Sequence, residues 1–206
     1  MRINKELGQA SKLLLVLAVV VLVAAVIVYL VMKMAEKPPA PSPTPTDTAP
    51  LPVYEQALGN IRFVFESALD KGDVLKVSDV KNAQFSYQKQ DLLVSNPGAK
   101  FIQVTAGAQN IGTKNTEQGA WDIENVVDSK GREFVPLAGH QVNPWLPSPN
   151  LCSTLLKPAF DPTPCTKIYE VSKESTGLKI RVETGVNNGN ISSGKVNSYL
   201  IDLIVK

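Results

Sequence analysis

Six residues of this chain have side chains that invite chemistry: His140, Cys152, Cys165, Asp122, Glu124 and Asp128. His140 is the single histidine, and a Ser-His-Asp arrangement would have to use it. No Gly-x-Ser-x-Gly elbow accompanies it, so it reads as a loop histidine without catalytic duty. A zinc site from His140, Cys152 and Cys165 has wide, irregular spacing and lacks a fourth ligand. A cysteine nucleophile paired with His140 competes with a simpler use of the two sulfurs, a disulfide. Asp122, Glu124 and Asp128 lack the dense alternation of a calcium loop and read as the solvent side of a strand. Neither a phosphate-binding glycine loop nor a dinucleotide fingerprint occurs. Asn190-Ile191-Ser192 matches the glycosylation sequon. The expectation is no catalytic residue, no metal and no cofactor.

The elements that would carry these residues divide sharply by composition. Residues 1–12 form a basic tail, expected on the cytoplasmic side. From Leu13 to Met32 run twenty residues without charge or proline, and a helix of that length spans roughly 30 Å, the hydrocarbon thickness of a bilayer. The run exceeds a signal peptide's apolar stretch and ends in Val31-Met32-Lys33-Met34, a poor cleavage context. It reads as an uncleaved transmembrane anchor. Residues 33–52 form a linker with seven prolines between Pro38 and Pro52, a composition that favours extended polyproline II. Such a stalk reaches roughly 50 Å.

Charge supports the same division. Of the 21 Lys/Arg and 19 Asp/Glu, the basic excess lies wholly before residue 53. The remainder, residues 53–206, has no net basic field, which argues against nucleic-acid binding. Arg2, Lys5 and Lys12 precede the apolar run and place the N-terminus inside. The only two cysteines, Cys152 and Cys165, follow it, and a disulfide between them persists only outside the reducing cytoplasm. Both arguments place the C-terminal domain outside the cell membrane, as a single-pass protein.

Within residues 53–206 the apolar pattern alternates. Ile61, Phe63 and Phe65, then Ile102, Val104 and Ala106, then Leu178, Ile180 and Val182, then Tyr199, Ile201, Leu203 and Val205 each line one face of a strand. Asp128-Ser129-Lys130-Gly131 is a turn sequence between two apolar runs. The expected fold is all-β, an immunoglobulin-like antiparallel β-sandwich. Asn96-Pro97-Gly98-Ala99-Lys100-Phe101, Asn110-Ile111-Gly112, Val127 through Phe134 and Tyr169-Glu170-Val171-Ser172-Lys173 occur in an order that resembles the telokin-like, immunoglobulin-fold family of exported bacterial proteins, relatives of immunoprotective extracellular antigens. The resemblance covers residues 58 to 206. It departs at Ser172, where the family often has proline, and in the loop bearing both cysteines. It implies a fold and an extracytoplasmic location, and no mechanism.

The stretch from Leu137 to Thr166 holds six prolines and little alternation. A connection so long inside a sandwich is usually functional or disordered, and prolines with a disulfide argue against disorder. Trp145 sits there as a hot-spot residue type for a protein or glycan partner, with His140 nearby. The competing reading of Trp145 is a lid over the end of the core. The functional expectation is a non-catalytic binding or structural module held at the membrane on a proline stalk. The alternative is an exported hydrolase or redox protein using residues not recognised above.

Overall fold

The computed structural model describes residues 7–35, 51–80, 84, 88, 90–185 and 196–206, and the chain divides into two units, Met1–Ala49 and Pro50–Lys206. In the first unit, helix α1 runs from Leu7 to Ala35. It extends past both ends of the apolar run because Leu, Gln, Ala, Lys and Met continue a helix well and no proline interrupts the backbone before Pro38. Its described side chains, residues 16–30, are all exposed. Among the described residues no helix is long and apolar enough to cross a membrane. Most of the expected stalk (residues 36–50) lies outside the described residues, as does the sequon at Asn190.

The second unit is a β-sandwich. Strands β1 (Glu55–Leu58), β2 (Ile61–Gly72), β5 (Ala99–Asn110) and β8 (Thr163–Ser172) form one antiparallel sheet in that spatial order. Strands β10 (Asn197–Asp202), β9 (Lys179–Thr184), β6 (Trp121–Val127) and β7 (Glu133–Phe134) form the other. The chain crosses between sheets after β5, returns before β8 and crosses again after it. Between β2 and β5 lies a two-stranded ribbon of β3 (Val74–Leu75) and β4 (Leu92–Leu93).

Alternation explains the core. Phe63, Ile102, Val104, Ala106 and Tyr169 from the first sheet meet Trp121, Ile123, Ile180, Val182 and Ile201 from the second. Phe63 and Trp121 pack edge to face, ring centres 6.2 Å apart. The expected turn at Asp128–Gly131 joins β6 to β7, and Gly131 supplies its positive φ of 75°.

The edge of β2 is shared between two partners. Strand β1 pairs with it from Ile61 to Val64, and a bulge then shifts the register between Phe65 and Ser67. Beyond the bulge the chain's last residues take over. Val205 bridges Ala68 in parallel, the Lys206 N–H donates to the Ala68 carbonyl, and the Asp70 N–H donates to the Lys206 carbonyl.

A second apolar cluster lies on the outer face of the first sheet. Phe101 and Ile168 project there, opposite to their inward-facing neighbours Ile102 and Tyr169. Leu75 from the β2–β5 connection and Val142, Trp145 and Leu146 from the β7–β8 connection cover them. Two long connections thus meet on a sheet face that would otherwise face solvent.

Candidate binding surface

The β7–β8 connection carries most of the expected site residues, and it is tied down along its length. His140 lies exposed on the one-turn helix α2 (Gly139–Val142). The following 3-10 turn, Asn143–Trp145, places Trp145 at 4% exposure in the outer cluster. Its Nε1 donates to the Lys76 carbonyl at 2.7 Å, as a buried indole N–H requires. The expectation of Trp145 as a partner's anchor is therefore corrected to the lid reading, because the ring has no free face to offer.

Cys152 and Cys165 are joined, with Cα atoms 4.4 Å apart. Cys165 is fully buried on the inner face of β8. The Asp122 carboxylate lies close to both sulfurs. A metal would need thiolates there, and the sulfur–sulfur bond withholds them. Just before the bridge, the Asn150 side chain imitates a neighbouring strand: its amide donates to the Thr166 carbonyl at 2.7 Å and its oxygen accepts from the Thr166 N–H at 3.1 Å. Trp121 Nε1 donates to the Thr154 carbonyl at 2.7 Å. Bridge, amide clamp and indole together hold residues 150–154 across the open side of the sandwich.

The acidic trio separates into three different environments. Asp122 pairs with Lys167 at 3.0 Å across the seam between β6 and β8. Glu124 sits at a bulge in β6, where its carbonyl accepts from the Tyr169 hydroxyl at 2.7 Å. Burial pushes the Glu124 carboxyl above its ordinary range; Lys167 opposes this, while Asp122 and Glu183 add to it. Asp128 is not on the solvent side of a strand as expected. It is buried at the β6–β7 turn, where the N–H groups of Lys130 and Arg132, the Arg132 guanidinium and the Ser175 hydroxyl all donate to it. Burial raises its pKa, but these donors outweigh burial and hold it down at about 2. The trio does not gather around a common point, so the structure forms no calcium cage from it.

Two concavities border this region. A groove of about 820 Å³ runs between the turn at Ser95–Ala99, the end of β8 and the stretch Glu133–Leu137. A smaller one of about 340 Å³ lies beneath α2 against Asn150, Cys152 and Lys167. The residue that sequence reasoning passed over is Phe160, 63% exposed in the same connection. Its signal was present: an aromatic between Pro158 and Pro162, held where it cannot retract.

No family model matches the chain, and no curated protein matches it. Among solved structures it is similar to uncharacterised bacterial proteins. A "putative lipoprotein" of Bacillus subtilis matches at 11% identity and a TM-score of 0.42, over 74% of this chain and 39% of that one. A conserved hypothetical protein of Bacillus anthracis matches at 16% identity and a TM-score of 0.45, over 74% and 94%. An uncharacterised β-sandwich protein of Clostridium difficile matches at 8% identity and a TM-score of 0.37, over 75% and 92%. The chain thus spans well under half the length of the first of these. The β-sandwich assignment rests on the sheet order itself.

Proposed function

We propose that this chain is a non-catalytic binding module, tethered to the cell membrane by α1 and displayed outside on a proline-rich stalk, and that it belongs with the telokin-like exported proteins its motifs resemble. The observation that carries the tether is α1. Every described side chain from Val16 to Leu30 is exposed, and all are apolar apart from the hydroxyl of Tyr29. A helix apolar on all sides has no stable place in water, and a bilayer is the solvent that accepts it. The disulfide supports an oxidising compartment for the sandwich. A binding role is supported by the way the long β7–β8 connection is clamped rather than loose, which presents a fixed surface.

Protease added to intact cells tests the tether. The expected result is loss of the sandwich with a short stub, containing α1, left in the membrane fraction. A chain wholly protected from protease, or a soluble mature protein beginning after residue 35, overturns it.

A further inference from the structure

On the outer face of the first sheet, away from the Trp145 cluster, Phe160 stands in solvent beside β5. It is not there because the loop is slack. Pro158 bridges Asn110, the Asn110 amide donates to the Leu156 carbonyl at 3.0 Å, and Gln109 Nε2 donates to the Phe160 carbonyl at 2.8 Å. Ala159 is held at a φ of 63°, a region non-glycine residues adopt only when the surroundings impose it. A clamped, strained backbone that leaves a large ring in water has not relaxed toward folding stability alone.

The Lys157 ammonium lies 6.0 Å from the centre of this ring, and a row of polar side chains runs across the neighbouring strands. Arg62 donates to Glu55 at 3.0 Å and to Gln109, forming a row from β1 across β2 to β5. Two residues along β5, Gly107 has no side chain, and the Glu66 carboxylate and Pro162 lie over it. A Cβ at Gly107 would overlap that carboxylate and stand 2.7 Å from Pro162 Cβ. Glu66 is the bulge residue of β2, and its side chain is exposed, so a ligand can reach its acceptor oxygens. The two halves, Glu66–Gly107–Pro162 and Arg62–Gln109–Phe160, are two residue steps apart, about 7 Å along a strand.

We propose that this face is a glycan-binding platform, with Phe160 stacking on the C–H face of a neutral hexose ring and Glu66, Arg62 and Gln109 bonding its hydroxyls. The aromatic face is electron-rich and attracts the ring's weakly positive C–H groups. Flat carboxylate, amide and guanidinium groups supply both donors and acceptors. Anionic and cationic side chains alternate here, which suits a neutral ligand. A protein interface instead requires about 800 Å² on each side around an apolar centre, whereas Phe160 here is accompanied by the polar side chains of Gln109 and Lys157.

This inference rests on the binding reading above and names the class of partner. It is tested on the full chain in lipid nanodiscs, titrated calorimetrically with short linear oligomers of glucose and of N-acetylglucosamine. The expected result is saturable binding that Phe160→Ala weakens by at least about tenfold and Glu66→Gln weakens less, with Tm unchanged in Phe160→Ala because that ring is exposed. Absence of binding by every oligomer, or equal binding by Phe160→Ala, overturns the proposal. Loss in Phe160→Ala of a cross-linked envelope protein, with no oligomer bound, overturns the glycan assignment and retains the module as a protein binder. The membrane tether is read separately by protease, so its failure leaves this titration interpretable.

Discussion

Trp145 and Phe160 sit in one connection and meet opposite fates, decided by what lies beneath each. Trp145 finds Phe101 and Ile168 on the sheet face and a carbonyl acceptor at Lys76. Phe160 finds polar Gln109 and the Lys157 ammonium 6.0 Å from its ring centre. Trp145→Ala is therefore expected to destabilise the sandwich by about 3–5 kcal/mol in denaturant unfolding, with no specific loss of partner capture. Unchanged stability would show that the outer cluster is not cooperative with the core. Asp128 carries a further lesson at this scale. Its position after two apolar residues reads like a strand's solvent side, but the Gly131 turn bends the backbone so that two N–H groups converge on it. Nothing in the identity of a single aspartate distinguishes these cases; the turn around it does.

At the scale of elements, the strands with one buried face were legible because burial imposes a period of two. Ile102, Val104 and Ala106 show it, as do Ile180 and Val182. The outer cluster was not legible for the converse reason. Leu75, Phe101, Trp145 and Ile168 come from four separated segments, and Phe101 and Ile168 interrupt faces that are otherwise polar. The disulfide needed only the count and the compartment, whereas Asn150 as its neighbouring clamp required the register of β8. Replacing Cys152 and Cys165 together by serine should cost roughly 3 kcal/mol, because the bridge closes a short loop and removes unfolded-state entropy. The check is denaturant unfolding of the oxidised protein against the double variant. Equal midpoints would mean that Asn150 and the Trp121–Thr154 contact hold the segment without the bridge.

At the scale of the whole molecule, the carboxylates set the acid limit of stability. Burial raises Asp70 and Asp202, but hydrogen bonds and ion pairing with Lys100 and Lys179, together with backbone N–H donors, leave both lowered. Arg181 and Asn125 lower Glu133, and Asp128 falls to about 2. The folded state prefers these groups ionised, so the stability they contribute is complete above their unfolded values near about 4. It is lost as pH falls through the folded values. Glu66 and Glu124 are raised and act in the opposite sense, losing their contribution as pH rises through the folded values. The net expectation is a Tm that holds near neutrality and falls between about pH 4 and 2. Asp128→Asn should lower Tm at neutral pH and flatten that acid fall; an unaltered acid slope would remove Asp128 from the account.

The pairing of Lys206 with Ala68 and Asp70 also bears on how such a chain folds. Strand β2 lies near the start of the sandwich, yet the partner for the second half of its edge must be brought in from Val205 and Lys206, far along the chain. Until then the edge beyond the bulge offers unpaired N–H and C=O groups to any neighbouring chain, the condition in which strands aggregate. Closing the sandwich requires residues 53 and 202, and residues 68 and 206, to come together. Contacts so distant in sequence form slowly. Its refolding yield should therefore fall with rising protein concentration, more steeply than its final stability alone would dictate.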